Sequence, residues 1–134
     1  MRKAELAYTA GIIDGEGCIK VYKVNSKICH RPHNRYTLNV QVSMTNKPLI
    51  KWLRKKYGGY FYIHSFIKKN HPTWKLQYRW MLQNQHCKDF LENILPFLKI
   101  KKIHATEALN FLKLKSGHIK SKHKYWKKFK ILNK

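Results

Sequence analysis

The chain has 134 residues, 29 of them Lys or Arg against 6 Asp or Glu, for a formal net charge of +23. An apolar content of 43% with 13% aromatics excludes a disordered polycation, and the length suits one domain, residues 1–134, with a buried core. The charge calls for a polyanionic partner, nucleic acid before an anionic membrane.

Residues 4–16 read as a helix. Leu6, Thr9, Ala10 and Ile13 share one flank, while Ala4, Ala7 and Gly11 form a stripe without bulk on the other. Such a stripe lets a second helix approach closely. Gly15 and Gly17 are expected to end the helix through the left-handed geometry glycine accepts. Between them, Asp14 and Glu16 sit at the negative end of the helix dipole, where anions are disfavoured by roughly 0.3–1 kcal/mol each. Two of the chain's 6 acids therefore occupy an unfavourable position, which points to a cation.

A strand is expected over 17–24, carrying Lys20 and Tyr22, then a cationic hairpin loop over 25–34 that includes Arg31. Residues 35–44 alternate, with Arg35, Thr37, Asn39, Gln41 and Ser43 on one face and Tyr36, Leu38, Val40, Val42 and Met44 on the other. The polar face carries amides, hydroxyls and an arginine, the groups that pair with base edges in a major groove. A helix follows from Lys47 to Lys56, with Leu49, Ile50, Trp52 and Leu53 inward, ended by Gly58-Gly59. The next strand spans 60–67, a second basic tip holds Lys68 and Lys69, and a strand over 74–83 sets Lys75, Gln77 and Arg79 opposite Trp74, Leu76, Tyr78 and Trp80. The arrangement implies an α+β fold: four antiparallel strands in one saddle-like sheet, in the order α-β-β-α-β-β-α. Helices are expected over 85–95, broken at Pro96, and over 101–114, the latter with Ile103, Leu109 and Leu112 inward. Asp89 and Glu92 read as solvated charges.

The basic tail, about 115–134, belongs to a stretch with nine Lys and no acid from Lys113 onward. Tyr125, Trp126, Phe129 and Ile131 suit it to docking as a short amphipathic helix. Its lysines leave phosphate contact and plain solvation equally open. No apolar run nears the ~20 residues that span a bilayer, and no signal peptide precedes the first helix, so a soluble intracellular protein with no membrane partner is expected. Cys18, Cys29 and Cys87 read as reduced thiols. A zinc site at Cys29, His30 and His33 would need His86-Cys87 from a distant helix to complete it.

The run Thr9-Ala10-Gly11-Ile12-Ile13-Asp14-Gly15-Glu16-Gly17 resembles the LAGLIDADG motif of homing endonucleases, with Thr in place of the usual first Leu. Phe90-Leu91-Glu92 and Leu95-Pro96-Phe97-Leu98-Lys99-Ile100-Lys101-Lys102 are similar to the late block of that family, so nearly the whole chain fits it. The resemblance implies the α-β-β-α-β-β-α LAGLIDADG fold and a site-specific, metal-dependent DNA endonuclease with no small-molecule substrate. It makes Glu16 the metal-binding carboxylate, with the Gly15 carbonyl as a further ligand, for Mg²⁺ or for Mn²⁺ or Ca²⁺ in its place. One motif per chain implies a homodimer on double-stranded DNA, with Ala7, Ala10, Gly11 and Asp14 at the contact and the two Glu16 side by side. Lys101 resembles the active-centre lysine, with Lys99 as its neighbouring candidate. A polar residue that helps place the attacking water falls near Met44, where Thr45 or Asn46 must substitute. The alternative is a non-cleaving binder on the same scaffold, an intron RNA maturase or DNA-binding regulator. A third reading is a basic ribonucleoprotein component. Glu16 weighs against the non-cleaving binder, because a pure binder gains nothing from two crowded carboxylates, and the ribonucleoprotein reading predicts no dimer and no sequence preference.

Overall fold

The structure, a computed structural model, describes residues 2–28, 31–64, 70–115 and 117–134, the side chains of 25–28 and 31–34 excepted. Its elements are α1 (Lys3–Glu16), β1 (Gly17–Ile28), β2 (Arg31–Met44), α2 (Lys47–Tyr57), β3 (Tyr60–His64), β4 (Gln77–Gln83), α3 (His86–Ile94), a 3-10 turn (Leu95–Phe97), α4 (Lys102–Leu112) and α5 (Ile119–Leu132). The four strands form one antiparallel sheet in the order β1-β2-β4-β3. The expected α-β-β-α-β-β-α order is present, and α4 and α5 follow it.

Alternation decides which side of the sheet is buried. Ile19 pairs with Val40 and Val40 with Leu82, Val21 pairs with Leu38, and Val42 with Trp80. All seven are 0–2% exposed, packed under Ala10 and Ile13 of α1, Ile50 and Leu53 of α2, Leu91 and Ile94 of α3, and Ala105 and Ala108 of α4. Each such aliphatic side chain contributes roughly 1.5–3 kcal/mol by leaving water.

The first hairpin is longer than expected, its ladder running to Ile28 opposite Arg31, so most of the anticipated 25–34 loop is strand. No apolar alternation marks those residues in the sequence, so the ladder there could not be read from it. The last strand is shorter, starting at Gln77. Trp74 instead lies in a turn, its N–H donating to the His71 carbonyl at 2.9 Å and its ring stacked on His71 at 3.8 Å, 52% exposed.

Gly17 ends α1 for a reason other than the expected one. Its φ of −83° is ordinary extended backbone, but an added Cβ would lie 2.7 Å from the Ile13 Cα and 2.8 Å from the Ile13 carbonyl oxygen. The chain turns there too tightly for any side chain. Gly59 (φ +92°) needs glycine on both counts, since a Cβ would meet the Met81 carbonyl oxygen at 2.5 Å.

Thr9, the motif's departure from Leu, is fully buried. Its hydroxyl donates to the Glu5 carbonyl at 2.9 Å and accepts from the Tyr57 hydroxyl at 2.6 Å, so both polar groups are satisfied where α1 meets α2. Burial raises the Tyr57 pKa, partly offset by that bond.

Two expectations about the later helices need correction. Ile103 is 62% exposed, and Ala105, Ala108 and Phe111 face inward instead. The two alanines let α4 lie close to the core, and that face cannot also hold Ile103. The tail does dock as a helix, though a long one. Phe129 of α5 is fully buried, while Ile131 is 69% exposed. Polar contacts pin α5 as well: Asn133 Nδ2 donates to the Ile19 carbonyl at 3.1 Å, the Tyr36 hydroxyl and His123 Nδ1 lie 2.7 Å apart, and Lys128 pairs with Glu107 at 3.0 Å. Among the described residues no helix is long and apolar enough to cross a membrane.

Candidate active centre and nucleic-acid interface

The two acids at the end of α1 have separate surroundings. The Asp14 carboxylate accepts three backbone N–H groups: Oδ2 from Lys99 at 2.9 Å, Oδ1 from Ile100 at 3.1 Å and from Lys101 at 2.9 Å. Burial pushes its pKa up, but these three bonds and the Lys101 charge outweigh that and hold it below the usual 3.8. The cation anticipated for Asp14 is thus met by a cradle of the chain's own N–H groups, and the side chain expected at a chain–chain contact is spent on its own fold. Ala10, assigned to the same contact, is wholly buried in the chain's own core. Ala4, Ala7 and Gly11 remain exposed, with Gly15 on the same side of the helix, and nothing lies within 4 Å of a Cβ built on Gly11 or Gly15.

Glu16 is exposed, and among the described residues its carboxylate has no hydrogen bond or ion pair. Asp89 and Glu92 are likewise exposed and unpaired among the described residues, so what sets Glu16 apart is its place at the end of α1. The Lys101 ammonium is engaged elsewhere. Lys101 Nζ donates to the carbonyl oxygens of Ile13, at 3.1 Å, and of Gly17. This places an ammonium on the negative end of α1, the charge that end favours, and relieves the conflict read from the sequence. Lys101 therefore flanks Glu16, whereas Lys99 contributes its backbone N–H to Asp14.

As a donor set this end of α1 suits a hard divalent cation only in part. Glu16 is an unpartnered carboxylate, and the Gly15 carbonyl belongs to the last turn, where helix carbonyls lack intrahelical partners. Among the described residues no group of three or more His, Cys, Asp or Glu converges to hold a metal, so one chain brings one carboxylate. Cys87, invoked for a zinc site, is fully buried and its thiol is pushed up to about 12 by desolvation. Cys29 and His30 lie outside the described residues. Of the substitutes near Met44, Asn46 is committed to capping α2, its Oδ1 accepting the Leu49 N–H at 3.1 Å, while Thr45 is exposed.

The face of the sheet away from the helices holds most of the polar residues singled out in the sequence. Register sorts them into rows. Cys18 lies across from Gln41, Gln41 from Met81, and Met81 from Tyr60. Lys20–Asn39–Gln83 is the next row outward from Glu16, and then Tyr22–Thr37. Beside the first row stands Ser43–Arg79–Tyr62, followed by Gln77–His64. Arg79 Nε donates to Ser43 Oγ at 2.8 Å, and Gln41 Nε2 to the Tyr22 hydroxyl at 3.2 Å. Lys20 Nζ stands 5.1 Å over the Tyr22 ring. Burial raises the Tyr22 pKa, and desolvation with the Arg79 charge lowers that of His64. A groove of about 490 Å³ runs past Tyr22, Arg35, Thr37, Asn39 and Gln83 at the outer end of this face.

Lys75 precedes β4 and lies off the strand it was assigned to. For Arg31 only the backbone is described, at the start of β2, and Lys68 and Lys69 lie outside the described residues. Tyr60, Tyr62 and Gln83 share the face without having been anticipated. Alternation in Tyr60-Phe61-Tyr62-Ile63-His64 carries the signal, but aromatic and aliphatic bulk on both faces hides it.

The whole architecture has solved counterparts. Over 97% of its length the chain matches the homing endonuclease I-CvuI, crystallised with the I-CreI target and magnesium with the DNA uncleaved, at TM-score 0.82 and 18% identity, covering 82% of that chain. The archaeal intron-encoded homing endonuclease I-Vdi141I, complexed with DNA, matches over 98% of this chain and 85% of its own at TM-score 0.77 and 14% identity. The LAGLIDADG homing endonuclease I-SmaMI, bound to cleaved DNA, matches over 95% of this chain but only 42% of its own, at TM-score 0.66 and 11% identity. At these identities the likeness is one of fold. No curated protein matches the chain. A family model described as LAGLIDADG endonuclease matches residues 9–118, from the first residue of the motif to beyond α4, and the chain belongs to that family.

Proposed function

We propose that this protein is a site-specific DNA endonuclease that cuts both strands of a long, near-palindromic duplex as a homodimer, with divalent cations held between two Glu16 carboxylates. The observation that carries the reading is Glu16 itself, exposed and without a partner in a strongly basic chain, at the end of a helix whose Ala7 and Gly11 leave room for a twin. Two such helices side by side would supply the second carboxylate that a single chain lacks, and the sheets of both copies would then line one trough.

Each Glu16 and Gly15 carbonyl would hold the ion. When bound, Mg²⁺, or Mn²⁺ or Ca²⁺ in its place, supplies Lewis-acid neutralisation of charge on the scissile phosphate. Lys101 has two of its three ammonium donors on the Ile13 and Gly17 carbonyls, leaving the third for a phosphate oxygen or an attacking water. Thr45 is the remaining side chain able to help place that water. Cleavage of a randomised duplex library with Mg²⁺ tests the proposal. Wild type should enrich a defined cut site and Glu16→Gln should not, while both still bind the selected duplex. Light scattering should give a dimer, and Gly11→Leu a monomer without cleavage; a wild-type monomer that still cuts both strands overturns the assembly.

A further inference from the structure

The outer sheet face reads as a set of base-edge partners, and its chemistry is uneven. In the rows Cys18–Gln41–Met81–Tyr60 and Lys20–Asn39–Gln83, the amides that present a donor and an acceptor side by side are Gln41 and Gln83, since the Asn39 Oδ1 is buried. An amide offers one donor and one acceptor side by side, which matches N7 and N6–H₂ of adenine, whereas guanine N7 and O6 call for two donors from Arg or Lys. The cations here are Lys20, leaning over the Tyr22 ring, and Arg79, whose Nε is already held by Ser43. That bond fixes the plane of the guanidinium and leaves both terminal nitrogens for one guanine. On β3, Tyr60 and Tyr62 stack on each other at 6.2 Å with an 11° tilt, and they are 53% and 42% exposed. Exposed rings at this edge suit the thymine methyl, the apolar group a major groove presents.

We infer that the base pairs read by the part of the sheet nearest Glu16 are predominantly A·T, with one guanine opposite Arg79 in each half-site. Gln41 and Gln83 set adenine, Tyr60 and Tyr62 favour thymine, and Arg79 sets the guanine. The inference rests on the DNA-endonuclease reading above and specifies the class of target that reading leaves open. Gln41 is the most informative position. Its Nε2 is steadied by the Tyr22 hydroxyl, so its orientation is held before any base arrives.

The test is selection of bound duplexes from a randomised pool by the full chain, with a chelator present so that bound DNA stays intact. The expected result is A·T at the positions flanking a single guanine in each half-site, each preferred roughly 5- to 100-fold over the wrong pair. Gln41→Arg should switch one A·T per half-site to G·C, Gln83→Arg should switch a different one, and Arg79→Gln should remove the guanine preference. Melting of each variant identifies any that fails to fold, and the other two then carry the comparison. An enriched site rich in G·C at those positions, or folded variants that weaken all duplexes equally, overturns the inference and leaves the endonuclease reading standing. If no duplex is enriched at all, both fall.

Discussion

The two sides of one helix end carry opposite kinds of carboxylate. On the side facing the 98–101 segment, Asp14 is wrapped by three backbone N–H groups from residues 85 to 87 positions away. On the outward side Glu16 meets no partner among the described residues. The contrast separates two jobs that the motif packs into three residues. Asp14 ties the first helix to the late segment and so places Lys101, whose ammonium closes the same helix end from the other direction. Glu16 has no such structural work, so its charge is available to a ligand. A carboxylate already paired three times would bind a cation poorly, because most of its roughly four lone-pair sites are taken and its charge is already met.

The largest effect that sharpens this contrast is expected from Glu16→Gln. It should reduce single-turnover cleavage on the order of 10³-fold or more if, as proposed, Glu16 holds the ion that supplies several kcal/mol of phosphate charge stabilisation. Its thermal melt should stay within about 0.5 kcal/mol of wild type, as for other exposed substitutions. A large loss of stability there would erase the distinction between the two acids. Lys101→Met should show both effects at once, lowering cleavage by roughly 10- to 100-fold as loss of a supporting group does at metal sites. It should also cost about 1 kcal/mol through the uncapped carbonyls of Ile13 and Gly17.

Asp14→Ala should cost about 1–2 kcal/mol in urea denaturation, comparable to losing a helix cap. Its effect on activity should follow from displacement of Lys101 and be partly recovered by Asp14→Asn, which retains an acceptor oxygen. The smallest effect is the pH dependence of that gap. Because the folded carboxyl titrates below its ordinary 3.8, its contribution is complete above that value and is lost as pH falls through the lower folded one. Wild type and Asp14→Ala should therefore converge in stability in strong acid. A gap that persists unchanged at the lowest pH would mean that something other than the charged carboxylate holds the late segment.

The sheet offers a second lesson about what was legible in the chain. Residues 35–44 alternate so regularly that both faces of β2 could be assigned from sequence, and Leu38, Val40 and Val42 are indeed fully buried. In 60–64 the same alternation exists, but Tyr60 and Tyr62 look as apolar as Phe61 and Ile63, so the face they share with Arg79 emerged only through pairing with β4. Ile103, expected inward, is exposed, whereas close packing selected Ala105 and Ala108. Size suggests burial, but the distance between elements decides it.

Local features, in which cause and effect lie within a few residues, were determined by the sequence alone: the α1 flank of Leu6, Thr9, Ala10 and Ile13, the alternation of β2, the stop at Gly58-Gly59, the motif around Glu16 and the basic charge. Contacts between residues far apart in the chain were decided by tertiary structure. These include Asp14 in its cradle of N–H groups, Lys101 on the end of α1, Tyr57 on the hydroxyl of Thr9, and α5 anchored through Phe129 and Asn133. A hydrophobic period can announce a helix or a strand, because backbone geometry repeats it. No period announces which of two neighbouring carboxylates meets a backbone 85 residues away, because that depends on how the assembled elements settle against one another.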